Sequence, residues 1–222
     1  MIQVKNLTKR FKKFKAIDNL SLKIGEGEIV GIVGPNGTGK TTLLNIISGL
    51  MTTFEGDVER SIAVNEISLA SEEFGFPKYY SVKKVLEIFK LIKSASDSQY
   101  EGVVSKLSLQ PHMQKNVGQL SQGLKQRLNI AVAILGHPKL IILDEPNNGL
   151  DPDGFKMLRE LITELKKNGK TVIIASHLLN EIERFCDEVI FMKQGKLLSQ
   201  DTIESILSNH NTLEEAYEFY SK

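Results

Sequence analysis

The sequence predicts an α/β fold in which a mostly parallel sheet is covered by helices on both faces. Short continuous apolar runs, at 139–143 and 171–175, are typical of strands buried on both sides. Segments with apolar residues at helical spacing alternate with these runs. A glycine-rich turn also joins an apolar strand at 29–33 to a helix beginning near Lys40. Alternation of this kind favours a parallel core with helices packed on either side.

The composition indicates the class of protein and the partners to expect. The 222 residues are 41% hydrophobic and 25% charged, which suits a single domain over 1–222 with a real core. The net charge of +1 gives no electrostatic reason to expect a nucleic-acid partner. Cys186 stands alone, so we expect no disulfide framework and a reducing, cytoplasmic compartment. The first residues lack the apolar stretch of a signal peptide, and no run reaches the roughly 20 apolar residues of a membrane span.

The glycine-rich turn matches G-x-x-x-x-G-K-[ST], a pattern typical of phosphate loops. Its residues are Gly34, Pro35, Asn36, Gly37, Thr38, Gly39, Lys40 and Thr41, with Thr42 following. Glycines let successive backbone N–H groups turn towards phosphate oxygens, and the following helix adds the positive end of its dipole. Lys40 can reach the β- and γ-phosphates, and the Thr41 hydroxyl is a suitable ligand for Mg²⁺. The turn therefore predicts a nucleotide-phosphate site.

The N-terminal residues predict two antiparallel strands, at 2–7 and 16–24, joined by a basic turn. Phe11 and Phe14 lie in that turn. An aromatic ring upstream of a phosphate loop can stack on adenine, or both rings can cover the apolar side of the hairpin. The sequence leaves these alternatives open.

Between about 72 and 136 the pattern changes from strands and turns to helices, which predicts a helical subdomain inserted into the α/β core. Ser81 and Ser121 have the position of N-caps for two of these helices. The loop before Ser81 contains four aromatic residues: Phe74, Phe76, Tyr79 and Tyr80. They predict either a surface that contacts another protein or a small satellite core.

Two acidic residues end the buried strand at 139–143. Asp144 is placed to hold Mg²⁺, and neighbouring side chains on an extended chain point in opposite directions. We therefore expect Glu145 to act separately, as the general base on the attacking water. The alternative is an acidic strand end that caps a neighbouring helix.

His177 follows the next buried strand and so falls at the same sheet edge as Asp144. There its imidazole can donate to a γ-phosphate, although a histidine in this position can also be purely structural. His112, His137 and His210 have no such setting, and we expect them to be surface or loop residues.

Together these motifs resemble the ATP-binding cassette (ABC) family of ATPases over nearly the whole chain. The resemblance rests on the phosphate loop, Leu120-Ser121-Gln122-Gly123, the LIILDEP segment at 140–146, Asn148-Gly149-Leu150-Asp151, and His177. It implies a P-loop NTPase of ABC type with an N-terminal antiparallel β-subdomain, which binds ATP and Mg²⁺. By the same resemblance Lys40, Glu145 and His177 act in catalysis, Thr41 and Asp144 hold Mg²⁺, and Phe11 stacks on adenine. Ser121 and Gly123 contact ATP bound to a second ATPase subunit, and Asp151 lies at the dimer seam.

Two positions depart from the family pattern. Glu72 occupies the position of a glutamine that contributes to the metal site in the family, and a carboxylate there repels γ-phosphate although it can still ligate Mg²⁺. Gln122 and Leu124 replace Gly and Gln of the LSGGQ signature. Because Ser121 and Gly123 are retained, we expect two subunits to enclose two ATP molecules.

The resemblance implies an ATPase subunit that forms a dimer, most simply a homodimer, and powers a separate integral membrane permease from the cytoplasmic face. Asn148 to Pro152 and the short chain resemble exporters of drugs, bacitracin-like peptides or lantibiotics. One alternative is a soluble ABC ATPase acting as a clamp on ribosomes or DNA. Another is a non-hydrolytic ATP-gated module, against which Glu145 argues.

Overall fold

The computed structural model describes residues 1–71 and 75–222. Its centre is a six-stranded sheet built on three strands with no exposed residue: β3 (Ile29–Val33), β6 (Leu140–Asp144) and β7 (Thr171–Ser176). The flanking strands are β5 (Ile67–Ala70), β8 (Glu188–Lys193) and β9 (Lys196–Thr202). The strand order is β5-β6-β7-β3-β8-β9, and each neighbouring pair is parallel except β8 and β9. The predicted mostly parallel sheet is confirmed.

A second, antiparallel sheet contains β1 (Ile2–Phe11), β2 (Phe14–Ile24) and β4 (Glu55–Arg60) in the order β2-β1-β4. The predicted hairpin is present, and its strands extend further into the basic turn than expected. Strand β4 pairs with β1, a contact between residues far apart in sequence that local patterning does not reveal.

Eight α-helices complete the described part of the chain. They are α1 (Lys40–Ile47), α2 (Val82–Ile92), α3 (Asp97–Lys106), α4 (Gln122–Ile134), α5 (Pro152–Lys167), α6 (Leu179–Phe185), α7 (Ile203–Asn209) and α8 (Leu213–Tyr220). The Ser81 hydroxyl accepts a hydrogen bond from the N–H of Lys84, and the Ser121 hydroxyl accepts one from Leu124, as N-caps do. Helices α2 to α4 lie between β5 and β6 in the sequence, and the bounds of a separate helical subdomain at 72–136 stay a prediction. Within 1–71 and 75–222, we find no helix with the length and apolar character needed to span a membrane.

The two faces of the central sheet bury two separate apolar clusters, because alternate strand residues point to opposite sides. On one face, Val30 and Ile32 pack with the apolar residues of α1 and of the antiparallel sheet. On the other, Ile29 and Val33 pack with residues from helices α2 to α8. Polar groups of the central strands are thereby restricted to the strand ends.

The aromatic loop before α2 divides between core and surface. Phe76 and Tyr80 pack against the core, and the Phe76 ring contacts Phe89 edge-on at 5.7 Å. Tyr79 is 75% exposed. Phe74 and Glu72 lie outside the described residues.

Lys93, directly after α2, ties three elements together from a mostly buried position. Its ammonium donates to the Ser68 hydroxyl of β5 at 2.6 Å and to the carbonyls of Val132 and Ala133 at 2.7 and 3.2 Å. These carbonyls belong to the last turn of α4, where helix carbonyls lack intrahelical partners and the dipole favours a cation. Burial nevertheless lowers the pKa of Lys93 from 10.5 to about 8.

Lys93 should make stability depend on pH in the alkaline range. Its folded-state pKa lies below its unfolded value, so between about pH 8 and 10.5 the unfolded chain binds more protons and stability rises with pH. We expect wild-type protein to gain on the order of 1–2 kcal/mol relative to Lys93→Met between pH 7.5 and 9.5. Urea unfolding of both proteins across this range measures the gain. A stability difference that does not change with pH contradicts the assignment.

Candidate active site

The carboxyl ends of β3, β6 and β7 meet at one edge of the central sheet, because these strands are neighbours and parallel. Strand β3 leads into the phosphate loop, β6 ends at Asp144, and β7 is followed by His177. Ligands of open α/β sheets bind at such an edge. The order of the strands thus brings together the predicted phosphate, metal and base residues.

The phosphate loop is held by close backbone contacts with distant segments. Gly39 has a φ of +98°, and a Cβ there would lie 2.3 Å from the carbonyl oxygen of Ala16 in β2. On the other side, the N–H of Gly195 donates to the carbonyl of Thr38 at 3.1 Å. Only glycine combines this conformation with this approach.

Lys40 and Thr41 begin α1 and face the acidic end of β6. The Lys40 ammonium is 6% exposed, donates to the carbonyl of Gly34 at 2.6 Å, and lies 3.5 Å from the Glu145 carboxylate. The Thr41 hydroxyl donates to the Asp144 carboxylate at 2.8 Å. The cation and the two acids therefore partly compensate one another.

The Thr41 and Asp144 oxygens fit a Mg²⁺ site. Both are hard donors, they are within 2.8 Å of each other, and Mg²⁺ usually takes few protein ligands together with water and phosphate oxygens. Over 1–71 and 75–222, no cluster of three or more His, Cys, Asp or Glu side chains could hold a metal without such help. The predicted third ligand, Glu72, lies outside the described residues.

Glu145 does not continue the extended strand, which corrects the geometry expected from the sequence. Its φ is +47°, a left-handed conformation that is uncommon for a side chain of this size and costs on the order of 1–3 kcal/mol. Neighbouring groups hold it there: its N–H donates to the carbonyl of Ala175 at 2.9 Å, and its own carbonyl accepts from Asn148 at 3.1 Å. A sharp turn, rather than strand alternation, separates its carboxylate from that of Asp144.

His177 contacts Glu145 directly, with 2.9 Å between the imidazole Nδ1 and a carboxylate oxygen. The Glu145 side chain is 17% exposed and the His177 side chain 48% exposed. His177 thus lies where it can orient the acid from a largely exposed position.

A cleft of about 250 Å³ opens above the phosphate loop. Its lining includes 36–42, Asp144 and Glu145, together with Phe11, Phe14 and Ala16. The two phenylalanines are 45% and 62% exposed, so they do not form a closed hairpin core. Phe11 and Phe14 both line this cleft, and the stacking of Phe11 on adenine stays a prediction.

Ser121, Gly123 and Asp151 lie elsewhere on the chain, around a separate cavity of about 590 Å³. The backbones approach closely here, since a Cβ on Gly123 would lie 2.6 Å from the carbonyl oxygen of Gly149. Arg127 and Asp151 form an ion pair at 3.0 Å, and the Asp151 carboxylate also caps α5 through the N–H of Gly154 at 2.8 Å.

Both contacts lower the pKa of Asp151, with the Gly154 hydrogen bond the larger cause and Arg127 the smaller. Arg127 is not among the site residues predicted from the sequence. Its spacing of four residues from Gly123, which places both on one face of α4, is the signal that was available. The cavity thus joins the start of α4 to the start of α5.

Comparison with known proteins agrees with this arrangement. The family model described as ABC transporter matches residues 17–148. A model described as "AAA domain, putative AbiEii toxin, Type IV TA system" matches the overlapping residues 114–183.

Two relatives and one solved structure extend the comparison. The lantibiotic transport ATP-binding protein SrtF of Streptococcus pyogenes is 34% identical over 98% of this chain and 96% of its own. The bacitracin transport ATP-binding protein BcrA of Bacillus licheniformis is 37% identical over 90% of this chain and 69% of its own. The dimeric post-hydrolysis structure of the ATP-binding cassette MJ0796, bound to ADP and Pi, has a TM-score of 0.82 at 27% identity, covering 91% of this chain and 99% of that one.

The chain belongs to the ABC transporter family as an ATP-binding protein, and it is an ATPase. The family, fold class and enzyme activity predicted from the sequence are confirmed. The roles of individual site residues stay predictions, although the structure reports where the described ones lie.

Gly39→Ala should destabilise the protein more than Gly37→Ala does. Both glycines have positive φ, but a Cβ at Gly37 meets nothing within 4 Å, whereas one at Gly39 meets a backbone carbonyl at 2.3 Å. We expect an additional cost of about 2 kcal/mol for Gly39→Ala, seen as a melting temperature lower by about 4–8 °C. Thermal unfolding without nucleotide measures it. Equal melting temperatures would show that the Ala16 contact does not constrain the loop.

Proposed function

We propose that the chain is the ATPase subunit of an exporter, in which two copies enclose two ATP–Mg²⁺ and drive a separate integral membrane subunit. One observation supports the proposed dimer: the phosphate cleft and the Ser121–Gly123–Asp151 cavity lie apart on the same chain. Two chains facing one another can place the cavity of each against the cleft of the other. This supports ATP sites that are complete only in the dimer.

The residues of the cleft suit hydrolysis of a terminal phosphate. Glu145 accepts the proton of the attacking water, and His177, in contact with its carboxylate, holds it in position. Lys40 and the amides of the phosphate loop stabilise the developing negative charge. Bound Mg²⁺ supplies charge neutralisation and orientation of the phosphates, and Thr41 and Asp144 are the described residues that would hold it.

ATP binding would exchange the contacts of Lys40. Lys40 is bound to the carbonyl of Gly34 and lies 3.5 Å from Glu145, so phosphate oxygens must replace these contacts. Once Lys40 is bound to phosphate, Glu145 is released to a water molecule. Nucleotide binding would thereby free the Glu145 carboxylate to act as the general base.

A groove of about 390 Å³ on another face suits the membrane subunit. It is lined largely by apolar side chains, among them Leu50, Val64, Phe76 and Phe89, and Leu50 and Val64 are 58% and 51% exposed. Phe76 comes from the aromatic loop before α2, for which the sequence predicts a contact with another protein as one of two alternatives. Docking here would hold the ATPase at the cytoplasmic surface of the membrane.

The proposed cargo, drug-like or peptide molecules, is supported by the names of two relatives. SrtF is named for lantibiotic transport and BcrA for bacitracin transport. Identities of 34% and 37% over most of this chain make a related cargo class the simplest proposal.

Glu145→Gln should abolish turnover while preserving an ATP-bound dimer. Glutamine keeps the size of the side chain but cannot accept the proton, so we expect ATP hydrolysis to fall by at least about 100-fold. Steady-state phosphate release measures turnover, and sedimentation with ATP measures the dimer.

Glu160→Gln, on the exposed face of α5, is the matched control and should hydrolyse ATP at the wild-type rate. If Glu145→Gln hydrolyses ATP at the rate of that control, the assignment of Glu145 as the general base is wrong.

Capture from native membranes tests the transporter assignment. After mild crosslinking, the purified chain should carry one multi-span membrane protein. Leu50→Glu should lose it because a charge enters the groove, whereas Leu91→Glu, at a 78% exposed position outside that groove, should retain it. Recovery of ribosomal or DNA-bound proteins alone would reject the exporter proposal.

A further inference from the structure

The cavity beside Ser121 and Gly123 is larger, and lined by more kinds of side chain, than contact with a single phosphate requires. At about 590 Å³ it falls in the range of about 300–1,000 Å³ typical of small-molecule sites. Its lining extends to Ser108 and His112, which come from the segment between α3 and α4. More of a nucleotide than its terminal phosphate can therefore occupy this space.

His112 is the imidazole side chain that lines this cavity. It lies in a short turn, its side chain is half-buried, and its Nδ1 is buried without a hydrogen-bond partner among the described residues. A buried N–H without a partner is rarer than a buried acceptor without one. The neutral ring is therefore best satisfied with its proton on Nε2, which leaves an N–H to donate.

Burial, and then the nearby cations, favour that neutral ring. Burial is the largest cause that lowers the pKa of His112, followed by the nearby cations Lys115 and Arg127. Asp151 and Asp153 also line the cavity, and Asp151 is engaged by Arg127 at 3.0 Å. His112 is thus a neutral donor at pH 7 in surroundings that also contain cations.

We propose that His112 donates its Nε2–H to a ribose or phosphate oxygen of the ATP held by the partner cassette. The inference rests on the proposed ATP-enclosing dimer and adds to it a contact from outside the signature segment. His112 would then help to set the ATP concentration at which two chains close, without contributing to ATP binding in its own cleft.

Substitutions at His112 can separate the two ring nitrogens. In a Glu145→Gln background, which retains the dimer, His112→Asn places an amide near the Nδ1 position, whereas His112→Gln extends one to the Nε2 position. We expect His112→Asn to raise the ATP concentration for half-maximal dimer formation by about three- to tenfold, the effect of one lost hydrogen bond. His112→Gln should restore most of it. The control His137→Asn, at an exposed loop histidine, should change nothing.

Sedimentation against ATP concentration gives the dimer curve, and nucleotide titration at dilutions where the chains are monomeric gives affinity for the cleft. The proposal is supported if His112→Asn shifts the dimer curve to higher ATP concentration than in the Glu145→Gln parent. Its affinity for nucleotide in the cleft and its melting temperature should both stay unchanged. Dimer curves that coincide for His112→Asn and the parent overturn the proposal. So does a loss of cleft affinity and stability as large as the loss of dimer formation. If the parent itself forms no dimer with ATP, the proposed function fails and this inference fails with it.

A mixed dimer tests whether the contact crosses between chains. Lys40→Ala removes the phosphate lysine from one chain, leaving ATP in the cleft of its wild-type partner. His112→Asn should slow hydrolysis when placed in the Lys40→Ala chain and leave it unaffected when placed in the partner. The reverse pattern would show that His112 acts within its own chain.

Discussion

Strands β3, β6 and β7 have no exposed residue, because helices cover one face of their sheet and α1 with the antiparallel sheet covers the other. Polar chemistry is consequently confined to the strand ends. The parallel arrangement places three such ends side by side, and the phosphate loop, Asp144 and His177 meet there. Burial of the central strands thus determines where the active site can be.

The charge of Lys40 is balanced by contacts that phosphate oxygens would replace in the proposed ATP complex. Lys40 is almost fully buried, and a carbonyl at 2.6 Å and the Glu145 carboxylate at 3.5 Å offset its charge. Glu145 is held in a left-handed conformation by its own backbone hydrogen bonds and contacts His177 through its side chain. A strained residue fixed in this way is typical of positions where function, rather than stability, selects the geometry.

The segment 145–151 connects the two regions of the chain that the proposed dimer uses. It begins at Glu145 in the cleft and ends at Asp151, which pairs with Arg127 of α4 and caps α5. Gly149 packs against Gly123 along the way. A displacement of Glu145 would therefore also displace the lining of the second cavity. In the proposed dimer that cavity faces the partner's ATP, and this continuity would be a structural basis for closing both sites together.

The sequence by itself determined the class of fold and the chemistry, because apolar runs, glycine spacing and N-caps act over a few neighbouring residues. These local signals predicted the parallel core, the phosphate loop and the acidic end of β6. Only the tertiary structure decided the turn at Glu145, the pairing of β4 with β1, and the contacts of Arg127 and His112 with the second cavity. Each depends on groups brought together from distant segments, and no local pattern encodes such an approach.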